Sequence, residues 1–318
     1  TSGDSFLDYH NYAGSFGSND FKIALSLNDF LKSRHLPAFL LLHKANALEK
    51  MMNLLMCPVC RKALVLNDKT WRCESNHSYD VAKQGYVNLH VVQHKHSKNP
   101  GDTPESVQAR RDFLNAGFYA PLQKAVVKKI HELKIENLLD IGCGEGYYTN
   151  AMQAEAIQTV GVDIAKNAVQ IAAKLNKDMT WVVGTGAVLP VLDHTINLCT
   201  SLFSPIPEQE ILRVLKTDGY LMVVTPAPQH LYAMREALFE EVNPHEPHKF
   251  VEQLKDHFEL VEDLVIDAPF ELNQQDLKNL IAMTPYAYKA KPELRTALEE
   301  KQSFELAAQF QMFVFKKK

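Results

Sequence analysis

Two groups of residues have types and spacings that can do chemistry. The first is Leu139-Asp140-Ile141-Gly142-Cys143-Gly144-Glu145-Gly146. Glycine loses more backbone freedom on folding than other residues, so three alternating glycines are used where the chain must turn sharply and a ligand must come close. An apolar strand that ends in such a turn and opens a helix near Tyr147 makes a nucleotide cradle, with bare N–H groups facing the ligand. The dinucleotide fingerprint G-x-G-x-x-G carries no acid before it. Here Asp140 closes the strand, and a carboxylate there repels a pyrophosphate but suits a cationic ligand end. A second acid, Asp163, closes Thr159-Val160-Gly161-Val162, roughly 20 residues on, where it can hold both ribose hydroxyls. The other group is Cys57-Pro58-Val59-Cys60 followed by Cys73-Glu74-Ser75-Asn76-His77. Three thiolates and an imidazole at this spacing complete a tetrahedral set that suits zinc, and with all four positions taken by protein the metal is structural. Cysteines used as small buried hydrophobes would explain the thiols without a metal. A redox Cys-x-x-Cys would leave Cys73 and His77 unexplained.

The glycine turn with its two acids looks like the first two motifs of the S-adenosylmethionine (SAM) methyltransferases. An ordinary strand–turn–helix in an α/β protein is the plainer alternative.

The elements that must position these residues follow from pattern and punctuation. From Asn137 onward, strands are expected at 137–141, 158–163, 179–184, 195–200 and 219–225, with helices at roughly 147–155, 165–175 and 207–216 between them. Such alternation implies a parallel sheet with right-handed crossovers. Lys216-Thr217-Asp218-Gly219 reads as the turn before the fifth strand. The fourth strand leads to Ser201-Leu202-Phe203-Ser204-Pro205, on the edge where a methyl acceptor would sit. Pro226 and Pro228 break the chain, and a helix is expected to begin at His230. Phe258 to Ile266 and Phe310 to Phe315 read as a closing hairpin. Upstream, Ser106 to Ala116 and Pro121 to Leu133 have helical spacing, with Arg110-Arg111 on the surface of the first. Tyr86 to Val92 reads as a strand, and Trp71 and Tyr79 as the small core of the cysteine module.

The chain has 318 residues, 46% hydrophobic and 23% charged, enough for two domains with a sizeable core. The formal net charge of −4 does not advertise nucleic-acid binding, so any such surface must be a local basic patch. One candidate is the linker Gln93-His94-Lys95-His96-Ser97-Lys98, which reads equally as a phosphate-contacting segment or a solvated one. Another is Met283 to Lys291, where aromatics and lysines alternate; a partly buried helix end explains it as well. Five cysteines, three of them clustered, argue for a reducing compartment, and a cytoplasmic protein is expected. No apolar run has the length of a membrane span, and no small-residue cleavage site follows Leu36 to Leu42. Residues 1–50 read as an extension, possible disorder or an artefact, 51–92 as the zinc-binding module, 93–118 as a linker and 119–318 as the catalytic domain.

Taken together, Cys57-Pro-Val-Cys60, Cys73 and His77, Lys83-Gln-Gly-Tyr-Val-Asn-Leu89, Gln93-His-Lys95, Pro100-Gly-Asp102, Gln108-Ala-Arg-Arg111, Asp140-Ile-Gly-Cys-Gly-Glu-Gly-Tyr-Tyr-Thr149 and Met283-Thr-Pro-Tyr286 resemble the RlmA family of bacterial 23S rRNA (guanine-N1)-methyltransferases. The resemblance runs from about Met56 to the C-terminus. It implies a class I SAM-dependent methyltransferase fold, a Rossmann-like, mostly parallel seven-stranded sheet, preceded by a small zinc-ribbon-like module. It also implies SAM and one structural zinc ion as cofactors, 23S rRNA as partner, no membrane, and a homodimer as a possible assembly. By resemblance, Cys57, Cys60, Cys73 and His77 bind the zinc, and Tyr119, Gly144, Glu145 and His230 contact SAM. Asp140, Gly142, Gly146 and Asp163 join that set from the glycine-turn reasoning. The family pattern is departed from after the third strand, where Gly184-Thr185-Gly186-Ala187 offers no acid to adenine.

Guanine N1 bears a proton and lies on the Watson–Crick edge, so the target must be unpaired or flipped out, and its proton must be accepted or relayed. Asp102, His94 and His230 are candidate acceptors by residue type only, and no catalytic residue is assigned. Two other readings stay open: a SAM enzyme for a small molecule, and a non-catalytic zinc-ribbon RNA-binding module.

Overall fold

The structure, a computed structural model, describes residues 53–91, 102–156 and 158–318. The extension expected over 1–50 and the basic segment with His94 lie outside the described residues. After the cysteine knuckle come β1 (Val65–Asn67), β2 (Thr70–Arg72) and β3 (Ser78–Asp80), a small antiparallel sheet in the order β1-β2-β3. Then follow β4 (Tyr86–Asn88), β5 (Asn137–Ile141), β6 (Gln158–Asp163), β7 (Thr180–Val183), β8 (Ile196–Leu202), β9 (Leu215–Pro226), β10 (Phe258–Asn273) and β11 (Ser303–Lys317). These eight form one sheet, ordered β10-β11-β9-β8-β5-β6-β7-β4.

The middle of the sheet is parallel. β5 is buried along its whole length, as expected for a strand covered on both faces by crossover helices. β5 pairs with β6 on one side and with β8 on the other. The chain therefore reverses its direction of winding at β5, and the crevice outside the carboxyl ends of β5 and β8 is the topological switch point where α/β sheets bind ligands. β10 and β11 close the sheet as an antiparallel hairpin beside β9. Along the outer strand β10, Glu259, Glu262, Asp263, Asp267, Glu271 and Pro269 make a poor template for further pairing.

The expected seven strands are present, and β4 is an eighth. It pairs in parallel with β7, after a turn in which Gly85 adopts φ 106°. Tyr86 and Val87 are buried, so β4 covers an edge that would otherwise present bare N–H and C=O groups. The cysteine module is joined to the same side. Met56 N–H donates to the Pro190 carbonyl at 3.0 Å and Leu192 N–H to the Leu54 carbonyl at 2.9 Å. Cys57, Leu64 and Cys73 share one apolar cluster with Leu139, Val162 and Val182 of the sheet, and Trp71 and Tyr79 pack against it. Arg213 fastens the docking segment, donating to the carbonyls of Val191 (2.7 Å) and Leu189 (2.8 Å) while Glu210 and Asp193 balance its charge.

Three local expectations need correction. The chain does not become helical at His230: Leu231 takes φ 50° and the helix spans Tyr232–Leu238. The Leu231 N–H is committed to the Ala307 carbonyl and the His230 ring to Gln309, so both residues belong to the turn. β9 begins at Leu215 rather than Gly219, because Leu215 already pairs with Ile196 before a register shift. Finally, the Met283–Lys291 stretch is not one helix. Helices Gln274–Ala282, Tyr286–Lys289 and Pro292–Glu299 divide it, with Pro285 and Pro292 at the breaks.

Candidate functional site

The glycine turn sits at the carboxyl end of β5 and leads into helix Tyr147–Met152. Gly142, Gly144 and Gly146 have φ of 77°, 54° and 85°, values that side-chain-bearing residues adopt only with strain. Their roles differ. A methyl group on Gly142 would lie 2.5 Å from Ser204 Cβ, and one on Gly146 would lie 2.8 Å from the Trp181 ring. Those two glycines permit close packing. A methyl group on Gly144 would meet nothing within 4 Å, so Gly144 faces the open side of the cradle. The Gly142 and Cys143 N–H groups both donate to the Val162 carbonyl, at 2.8 and 3.1 Å, which fastens the turn to β6.

The two acids hold this turn from below and beside it. Asp140 is buried, and its oxygens accept from Thr149 Oγ1 (2.6 Å) and Thr200 Oγ1 (2.7 Å). Burial pushes its carboxyl up to about 6, against the two hydroxyl bonds that favour the ionised form. Both of its oxygens are thus engaged, and Asp140 ties the helix after the turn to β8. Asp163 accepts from Gly144 N–H at 2.9 Å and from Ala165 N–H at 2.7 Å. Burial raises its proton affinity while those two N–H groups oppose the rise. A carboxylate has about four acceptor sites, so Asp163 retains capacity for a ribose diol.

Glu145 is buried, and burial raises its carboxyl while Arg110 opposes the rise. Arg110 Nη1 stands 4.0 Å from Glu145, and its other arm pairs with Asp102. An acid and a guanidinium at one edge of the turn match the ammonium and carboxylate of an amino-acid end. Beside them, the Tyr148 hydroxyl is buried without a hydrogen-bond partner. A buried hydroxyl left unpaired costs free energy, and a polar ligand would remove that cost. The residues therefore fit SAM: an open glycine, an acid for the ribose, opposite charges for the methionine end and an orphaned hydroxyl.

Tyr119 and His230, the other two residues that the resemblance points to, pack together with Phe310. The Tyr119 and Phe310 rings meet edge to face at 4.7 Å, and His230 lies 5.0 Å from Phe310 and 6.4 Å from Tyr119. His230 Nδ1 is 2.8 Å from the Gln309 carbonyl, which can only accept, so Nδ1 carries the proton and Nε2 is the bare nitrogen. Burial lowers the imidazole to about 3, so it stays neutral. After β7, Gly184 fits against Val162 and Pro190, and Thr185 accepts from Ala187 N–H at 3.2 Å; no acid enters there.

The four metal-ligand candidates converge. The Sγ atoms of Cys57, Cys60 and Cys73 and a ring nitrogen of His77 lie within 4.8 Å of one another. His77 Nδ1 is 3.4 Å from Cys73 Sγ and 3.6 Å from Cys57 Sγ, and Cys60 and Cys73 Sγ are 3.5 Å apart. Zinc–sulfur bonds of about 2.3 Å place tetrahedral ligand atoms close to these separations, so the set fits a zinc ion with no open position.

Sequence reasoning missed Thr149 and Thr200 as clamps of Asp140, and Tyr148 as an orphaned hydroxyl. It read Arg110 as a surface cation, whereas its guanidinium reaches Glu145. Tyr148 could have been noticed from its place in Gly144-Glu145-Gly146-Tyr147-Tyr148; the threonine on β8 carries no sequence signal.

Residues 55–98 match the zinc-ribbon family model described as RlmA, N-terminal, and residues 139–223 match a methyltransferase domain. A 23S rRNA (guanine(748)-N(1))-methyltransferase of Streptomyces fradiae is 32% identical over 247 residues, covering 75% of this chain and 87% of that protein. The chain belongs to the 23S rRNA (guanine-N1)-methyltransferase family. A second relative in this family, YxjB of Bacillus subtilis (strain 168), carries a provisional name of the same kind and is 28% identical over 273 residues, 81% of this chain and 95% of that one. Among solved structures, YcgJ of Bacillus subtilis superposes with a TM-score of 0.44 at 16% identity, covering 62% of this chain and 97% of that chain. The methyltransferase domain of the family implies SAM as cofactor, and its zinc-ribbon module, with four converged ligands, implies zinc. No helix among the described residues is long and apolar enough to cross a membrane.

Proposed function

We propose that this chain transfers a methyl group from SAM to N1 of a guanine in 23S rRNA. The observation that carries the reading is the open cradle at Gly144, flanked by Asp163 and Glu145, in a chain of this family. SAM supplies a methyl on a sulfonium, which moves to a nucleophile by in-line displacement without a metal. In this reading Asp163 holds the ribose, and Glu145 with Arg110 holds the amino-acid end. Gly142 and Gly146 shape the turn, and Asp140 braces it through Thr149 and Thr200. Tyr119 and His230 line the cofactor wall. Cys57, Cys60, Cys73 and His77 hold one zinc ion that keeps the docking module folded.

His230 is a poor choice for the N1 proton. A neutral imidazole with so low a proton affinity gains little by taking a proton, and its bare Nε2 suits accepting a hydrogen bond. Asp102 is committed to Arg110. What the chain supplies is alignment, which for well-oriented reactants is worth up to about 7–11 kcal/mol. Methyl incorporation from labelled SAM into protein-free 23S rRNA lacking the modification tests the reading. Incorporation that disappears with Asp163→Ala supports it; SAM binding without incorporation into any rRNA overturns it.

A further inference from the structure

β8 ends at Leu202, and the next residue is held in a conformation that its side chain disfavours. Phe203 has φ 58°, the left-handed region where an L-residue's Cβ crowds the following carbonyl. Residues keep such a backbone only where their surroundings over-determine it, and they cluster at functional sites. The restraints on Phe203 come from both neighbouring strands. Its N–H donates to the Val224 carbonyl of β9 at 2.9 Å. The next residue, Ser204, donates to the Ile141 carbonyl of β5 at 2.5 Å and meets Ser201 Oγ at 2.9 Å.

The result is an aromatic ring in an unusual place. Phe203 is 44% exposed. Among the described residues it is the one large hydrophobic side chain that is both exposed and left-handed. Its ring lies 5.7 Å from Phe310 and 6.5 Å from Tyr148, so aromatic neighbours support it on one side and the rest faces out. It also stands at the switch point, one residue from Ser204, the side chain that a methyl group on Gly142 would strike. A strained aromatic thus packs one side against Phe310 and Tyr148 and leaves 44% of its surface open at the rim of the cradle.

Resting on the reading above, we propose that the Phe203 ring is the platform on which the target guanine stacks. N1 is hidden in a base pair, so the acceptor base must leave its neighbours and lose their stacking. RNA-binding proteins return that loss by stacking a splayed base on an aromatic face. Phe203 offers such a face beside the cradle, where the plane of the ring sets the plane of the base and hence the direction in which N1 points.

The test separates the ring from its backbone. Phe203→Gly removes the ring but accepts the left-handed turn, while Phe203→Tyr keeps a stacking face. The full chain would be assayed for methyl transfer to 23S rRNA and for SAM affinity by calorimetry. The expected result is a fall of about tenfold to a hundredfold in kcat/KM for RNA with Phe203→Gly, near-normal transfer with Phe203→Tyr, and unchanged SAM affinity in both. A second readout places 2-aminopurine at the mapped target in an rRNA hairpin. Its fluorescence should be quenched on binding wild-type protein and Phe203→Tyr, and bright on binding Phe203→Gly. Equal quenching in all three, or unimpaired transfer by Phe203→Gly, would overturn the platform while leaving the methyltransferase reading standing. Failure of the wild-type chain to methylate any rRNA would overturn both.

Discussion

The glycine turn makes a contrast that one pair of variants can resolve. Gly142→Ala and Gly144→Ala each place a methyl group on a left-handed residue, costing roughly 1–2 kcal/mol. The added methyl at 142 also meets Ser204 Cβ at 2.5 Å. Ser204 is held by Ile141 and Ser201 and cannot swing away. Overpacking of this kind costs about 1–3 kcal/mol more. Gly142→Ala should therefore lose about 2–5 kcal/mol of stability, and Gly144→Ala only about 1–2 kcal/mol. With roughly 2–4 °C of melting temperature per kcal/mol in a domain of about this size, Gly142→Ala should melt some 4–20 °C lower, Gly144→Ala only a few degrees lower. Cofactor binding should show the opposite emphasis. Nothing lies within 4 Å of the methyl at 144, and in the proposed reading SAM fills that space, so a folded Gly144→Ala should bind SAM at least tenfold more weakly. Thermal unfolding without cofactor, paired with calorimetric titration of SAM, reads both quantities. Equal destabilisation of the two variants, or wild-type SAM affinity in Gly144→Ala, would refute the division of roles.

Other perturbations have equally definite outcomes. Asp140 has a folded-state pKa raised from 3.8 to about 6, so the native state binds its proton more tightly than the unfolded chain. That contribution is present below pH 4 and is lost as the pH rises through 6, a change of up to about 3 kcal/mol. Asp140→Asn should remove this slope from the difference between denaturation curves at pH 4 and 6.5, and a slope identical to wild type would contradict the assignment. Tyr148→Phe deletes a buried hydroxyl that has no partner; the variant should be at least as stable as wild type without SAM and bind SAM several-fold more weakly, and a large loss of stability would show that the hydroxyl is satisfied within the protein. Metal analysis of the purified chain should give one zinc per molecule. Chelation or Cys57→Ser should release it and abolish protection of the β1–β3 amides in hydrogen exchange, whereas a metal-free chain with those amides protected would count against a structural ion.

What could be read from the sequence was local. Gly142 to Gly146, Asp140 and Asp163 lie within one strand–turn–helix–strand unit, and their spacing alone carries the argument. Cys57, Cys60, Cys73 and His77 do so as well, because knuckle geometry is set by neighbours in the chain. What escaped depends on distant partners. The strand at Tyr86 is legible, but not its shortness, Tyr86–Asn88, nor its parallel pairing with β7, which makes it an eighth strand of the large sheet. Arg110 has the helical spacing of a surface residue, and only the fold brings Glu145 to it. Leu231 and Phe203 are not themselves glycine, asparagine or proline, and nothing in their types signals a left-handed turn; the Val224 carbonyl of β9 holds Phe203 there and the Ala307 carbonyl of β11 holds Leu231. Asp140 reads from sequence as part of the cofactor set, but its clamps Thr149 and Thr200, the latter on β8, are supplied by the fold.

The measurement that bears most directly on the central claim is primer extension on 23S rRNA after incubation with the chain and SAM, starting from rRNA that lacks the modification. N1 methylation blocks Watson–Crick pairing and stops reverse transcriptase. The account predicts a single new stop at an unpaired guanine in a hairpin, absent with Asp163→Ala, and 1-methylguanosine on digestion of that fragment. Incorporated label with no stop, or a methyl on another atom or base, would contradict it.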